Sequence, residues 1–138
     1  MKIKKVDHIG IVVRSLDEVI PLYRDHLGLP LSRIEAVPAQ AVRIAFLPVG
    51  ESEVELLEPT DPDGGVAGYL EKRGESMHHI CFEVEDIEGA LAELKAQGVR
   101  LIDEQPKTGS HGQKMAFIHP KSTHGVLIEL YERSRQDG

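Results

Sequence analysis

The stretch DHIGIVV at residues 7–13 returns as HHICFEV at residues 78–84, and this internal repeat constrains the fold more than any other feature of the chain. His79 lies 71 positions after His8, and Phe117 lies 71 positions after Phe46 within AFLP and AFIHP. Glu55 in VELL and Glu129 in IELY are 74 apart, the extra three residues falling in the longer turn HPKSTHG. Self-similarity held in register over such a distance means that one supersecondary unit is built twice.

Each copy reads as a strand, a helix and three further strands. HIGIVV is a β-branched apolar strand, and in SLDEVIPLYRDHLGL the residues Leu16, Val19, Ile20, Tyr23 and Leu27 recur at helical spacing. Ser15 and Glu18 form a capping box, Gly28 closes the helix, and Pro21 inside it predicts strain or a kink. SRIEAV, AVRIAFLPV and EVELLEP follow as strands bounded by proline, glycine or polar residues. The second copy runs HHICFEV, the helix DIEGALAELKAQG, then RLIDEQ, QKMAFIHP and GVLIELYE as strands, with PKTGSHG as a loop. The expected organisation is a single α+β domain over residues 1–138, with modules at 1–58 and 78–138. The connection at 59–77 carries a short helical patch, VAGYLEKRG.

Strand alternation sets His8, Gly10 and Val12 on one face and Ile9, Ile11 and Val13 on the other. Glu55 shares a face with Leu57, and Glu129 with Leu127 and Tyr131, so each carboxylate interrupts an apolar strand. An unpaired buried carboxylate costs several kcal/mol or becomes protonated, so a cationic partner is expected. One histidine at a strand start is ordinarily a hydrogen-bonded structural residue, and one strand glutamate ordinarily faces solvent. Four such residues at homologous places in a duplicated unit point instead to a metal held by His8, Glu55, His79 and Glu129. His78 must face away from its neighbour His79 and is read as packing or hydrogen bonding. His26 stands in a helix's last turn and faces solvent or favours the negative helix end. Cys81 reads as a small buried hydrophobe rather than a nucleophile, since no basic neighbour is visible.

Composition narrows the function classes. A single cysteine excludes an internal disulfide and argues against a thiolate zinc cluster, leaving nitrogen and oxygen ligands. With 16 basic against 23 acidic residues the formal charge is −7, and no basic run creates a nucleic-acid surface. No apolar run approaches the roughly 20 residues that span a bilayer, and MKIKKVDHIG lacks a signal segment. A cytoplasmic protein with neither membrane nor nucleic-acid partners is expected.

Through DHIGIVV, VELLEP, MHHICFEV and above all HPKSTHGVLIEL, the chain resembles the vicinal oxygen chelate superfamily (glyoxalase, bleomycin resistance and dioxygenase proteins) and, within it, the methylmalonyl-CoA epimerases. The likeness runs from Val6 to Tyr131. It implies paired βαβββ modules curled into a half-open β-barrel around a divalent cation, with His8, Glu55, His79 and Glu129 as ligands. Some relatives carry glutamine at the position of Glu55. The implied cation is Co²⁺ foremost, with Mn²⁺, Ni²⁺ or Zn²⁺ as alternatives, and two remaining coordination positions would take oxygens of an acyl-CoA substrate. The implied reaction interconverts (S)- and (R)-methylmalonyl-CoA through loss and return of the α-proton, by way of a metal-stabilised enolate. Glu129 is the candidate proton-transfer group. A second glutamate of some relatives aligns with Ile44 here, leaving Glu35 or a water for its role. Arg43, Lys114 and Lys121 are candidate contacts for the CoA tail, and the resemblance also implies a homodimer.

Two other readings fit the same fold, and a third matches these residues poorly. Lactoylglutathione lyase shares the His/Glu/His/Glu set and moves a proton beside a carbonyl. A non-catalytic antibiotic-binding protein would not need all four ligands, and an extradiol dioxygenase needs two histidines and only one carboxylate.

Overall fold

The computed structural model describes residues 1–109 and 111–134, and Ser110 of the expected loop lies outside them. Eight strands and three α-helices are present among the described residues, in keeping with an α+β class. In chain order they are β1 (Ile3–Val12), α1 (Leu16–Pro21), β2 (Arg33–Val37), β3 (Val42–Val49), β4 (Ser52–Pro59), α2 (Gly65–Arg73), β5 (Ser76–Val84), α3 (Ile87–Ala96), β6 (Lys107–Thr108), β7 (Lys114–Ile118) and β8 (Ile128–Glu132). They group into two compact units, His8–His78 and a second made of Met1–Asp7 with His79–Gly138. The first seven residues thus go with the second repeat, and the connection 59–77 goes with the first.

In the first unit the strands run β2-β3-β4-β1. β1 pairs parallel with β4, and β3 lies antiparallel between β4 and β2. One face is covered by α1, whose buried Leu16 and Ile20 pack with Val13, Ala45, Leu47 and Leu56. The other face holds Val12, Val42, Ile44, Phe46 and Leu57, with Val66, Tyr69 and Leu70 of α2 against them. Each fully buried leucine or isoleucine contributes about 1.5–3 kcal/mol, so these clusters hold the strands in one register.

The second unit repeats the scheme, with β5 parallel to β8 and β7 antiparallel to it. Ile87, Ala90 and Leu91 of α3 pack on Val84, Ala116, Ile118 and Leu130. On the far side of β5, the Glu85 amide donates to the Lys2 carbonyl at 3.2 Å, tying the start of β1 to this unit.

Local chemistry accounts for the helix ends. The Ser15 hydroxyl accepts from the Glu18 amide at 3.3 Å, and Asp86 accepts from the Gly89 amide at 3.1 Å. Both helices are also capped from a distance. The Leu16 amide donates to Glu58 at 2.8 Å and the Ile87 amide to Glu132 at 2.9 Å, at equivalent places in the repeat. Pro21 has no N–H to donate, so α1 stops there and Leu22–His26 continue as a π-helical turn, with the Leu27 amide reaching the Leu22 carbonyl. Gly28 and Gly98, at φ of +80° and +83°, take the left-handed conformation that ends the two helical segments.

One expected strand is corrected. RLIDEQ forms only an isolated bridge, Leu101 to Ile118, and the short β6 lies instead within the segment read as a loop. The amides of Ile102 and Asp103 both point at the Phe117 carbonyl, while the Asp103 carboxylate accepts from the Phe117 amide at 2.9 Å. A side chain has taken the place of a ladder bond, bending the segment away from further pairing.

Candidate metal centre

In the first unit His8 is 5% exposed and Glu55 8%. Gly10 stands in register with Glu55 and offers no side chain, so the carboxylate meets the imidazole two residues earlier, with His8 Nδ1 3.1 Å from Glu55 Oε2. Phe46 flanks Glu55 from β3. In the second unit Cys81 stands opposite Glu129, and His79 Nε2 lies 3.1 Å from Glu129 Oε1. Phe117 flanks Glu129 from β7, its ring edge-on to His79 at 5.7 Å between centroids. The four predicted ligands therefore form two buried His–Glu pairs, one built by each repeat.

The pairs fit a divalent cation. Two ligand atoms each about 2.1 Å from an ion and at right angles to one another are about 3 Å apart, which is the separation in both pairs. The nitrogen and carboxylate donors suit Zn²⁺, Co²⁺, Mn²⁺ or Ni²⁺ rather than a soft cation.

The other singled-out residues sort clearly. His78 packs edge-on against Tyr69 at 4.7 Å, as expected of a residue facing away from His79. His26 is exposed and Cys81 is fully buried. Arg43 pairs with Glu58 at 3.4 Å and Lys114 with Glu88 at 2.7 Å. By alternation, both leave their strands on the faces opposite the His–Glu pairs. Lys121 is exposed in a 3₁₀ turn, Pro120–Ser122.

That turn belongs to HPKSTHG, and its residues work on the backbone. The His119 ring accepts from the Lys121 amide at 3.1 Å, Ser122 accepts from the Arg100 amide at 2.8 Å, and the Thr123 hydroxyl meets the Pro120 and Val126 carbonyls. Desolvation, then the charges of Arg100 and Lys121, hold the His119 pKa below the ordinary histidine value. These bonds shape the turn that precedes β8.

Sequence reasoning missed a second set of buried carboxylates. Asp7 and Glu83 are 5% and 4% exposed. Arg133 lies 3.3 Å from Asp7 and 3.2 Å from Glu83, and Lys4 is 3.2 Å from Glu83. The available signal was alternation, since Glu83 shares a face with His79 and Cys81.

Residues 7–117 match the model of the Glyoxalase/Bleomycin resistance protein/Dioxygenase superfamily. The ethylmalonyl-CoA/methylmalonyl-CoA epimerase of Cereibacter sphaeroides is 37% identical, over 93% of this chain and 97% of its own. A variant of the Streptomyces coelicolor methylmalonyl-CoA epimerase, solved with 2-nitronate-propionyl-CoA, is 37% identical with a TM-score of 0.90 over 97% of both chains. A hypothetical protein from Bacillus halodurans is 45% identical with a TM-score of 0.92 over 96% of both chains. With its duplicated strands, its two His–Glu pairs and likeness along nearly its whole length, the chain belongs to this superfamily and, within it, to the family of the methylmalonyl-CoA epimerases.

Proposed function

We propose that this chain is a divalent-metal-dependent methylmalonyl-CoA epimerase in which His8, Glu55, His79 and Glu129 bind one ion per chain. The observation that carries the reading is the buried His–Glu pair repeated at homologous positions of a chain in the epimerase family. Bound there, the cation would polarise the thioester carbonyl and lower the energy needed to remove the neighbouring proton. Glu129, a buried carboxylate of β8, takes or returns that α-proton. The apolar residues beside Glu55, among them Phe46 and Leu57, exclude water from the carbanionic carbon. The same reading makes the protein a homodimer acting on an acyl-CoA in the cytoplasm. The foremost metal is Co²⁺, with Mn²⁺, Ni²⁺ or Zn²⁺ as substitutes.

The test uses the carbon to which the proton returns. Metal-loaded protein incubated with methylmalonyl-CoA in D₂O should wash deuterium into the α-position while converting one epimer into the other. Glu129→Gln should suppress both, with metal content measured alongside because the same residue is a ligand. If the α-proton stays unexchanged and the glutathione hemithioacetal of methylglyoxal is instead converted rapidly to its thioester, the protein is a lactoylglutathione lyase. Binding of an antibiotic with neither activity would make it a sequestering protein.

A further inference from the structure

Inversion at the α-carbon needs a proton removed from one side and a proton delivered to the other, so Glu129 requires a second group. Resting on the epimerase reading, we infer that Glu35 is that group and that Arg33 positions it. The sheet register carries the argument. Glu35 stands opposite Ile44, which stands opposite Leu57, and Arg33 stands opposite Phe46, which stands opposite Glu55. Directly opposed residues project from the same face, so Glu35 and Arg33 rise from the face that holds Glu55 and His8.

Glu35 is two strands and one two-residue step from Glu55, about 12 Å between α-carbons by ordinary strand spacings. A glutamate side chain and a malonyl group held beside Glu55 would together span that distance. The ground between is apolar, with Ile44 and Leu57 7% and 5% exposed. Arg33 lies 3.8 Å over the Phe46 ring and 3.1 Å from the Glu35 carboxylate, so the acid is held by a cation that is itself fixed on the ring. Glu53 is another carboxylate of this face, opposite His8, and lies toward the hairpin end of β4, away from Ile44 and Leu57.

The step balances without another reactant. One carboxylate takes the α-proton as the C–H electron pair moves into the enolate. The other, protonated, delivers its proton to the opposite side, a C–H bond re-forms, and the two carboxyl groups have exchanged protonation states. Solvent resets them.

The experiment follows deuterium entry and inversion separately, starting from each pure epimer. Glu35→Gln with normal metal content should lose epimerisation by at least about a hundredfold, yet still exchange the α-proton of one epimer and not of the other. Glu35→Asp should restore part of the inversion. Arg33→Ala should lower kcat more than it raises KM, and Arg33→Lys should recover part of the loss. Epimerisation within tenfold of wild type in Glu35→Gln, equal loss of exchange from both epimers, or one-sided exchange in Glu53→Gln instead would overturn the assignment. Absence of exchange in the wild-type protein would overturn the epimerase reading itself and this assignment with it.

Discussion

The two repeats keep the same His–Glu pair but use the phenylalanine beside it differently. In the second unit the Phe117 ring meets His79 edge-on, packing directly against the imidazole. In the first, Phe46 carries the Arg33 guanidinium, and Arg33 holds Glu35. The cause is the outermost strand. β2 is five residues long and pairs fully with β3, whereas its counterpart has shrunk to the two residues of β6 and the bridge at Leu101. A duplicated fold can keep its His–Glu pairs symmetric because they sit on the inner strands, and differ at an edge where one copy is free to change.

If both repeats feed one ion, breaking either pair should have the same large consequence. His8→Ala and His79→Ala should each weaken metal binding by more than about a hundredfold, beyond the loss seen for an outer-shell partner, while His78→Ala retains metal and activity. Metal analysis on purified variants decides this, and full occupancy in His79→Ala would break the proposed equivalence.

The second unit has a buried carboxylate cluster held by Arg133, so a matched pair of arginine substitutions separates the units. Arg133→Met leaves Asp7 and Glu83 with weaker compensation and should lower stability by about 1–3 kcal/mol. Arg14→Met, in the exposed pair with Glu75 at 3.6 Å, should change it by less than about 0.5 kcal/mol. Urea unfolding of both reads the difference.

The smallest effect tests a symmetry. Glu58→Ala and Glu132→Ala each remove a helix cap at the same place in the repeat, so each should cost about 1 kcal/mol. Unequal shifts in the urea midpoint would show that the pairing of Glu58 with Arg43 adds to the cap.

Most of the first unit was legible in its sequence. The three runs read as strands became β2, β3 and β4, Ser15 capped its helix, and Pro21 interrupted the α-helical hydrogen bonds. These signals are local, since alternation, capping and a missing N–H act within a few residues. RLIDEQ misled because its alternation is that of a strand, while the Asp103 carboxylate claimed an amide that pairing would have used. The roles of Glu58, Glu132, Asp7 and Glu83 were also hidden, because their partners Leu16, Ile87 and Arg133 lie far away in sequence.

The sequence by itself determined the duplication and the family, and singled out His8, His79, Glu55 and Glu129 as candidates. Duplication is written in spacing, and a polar side chain on an apolar strand shows in the period of two. Only the tertiary structure decided which nitrogen meets which carboxylate, that Gly10 opens the way to Glu55, and that Arg33 and Glu35 share the face of His8. Those outcomes depend on register between strands tens of residues apart, which hydrogen bonding and core packing set once the chain has folded.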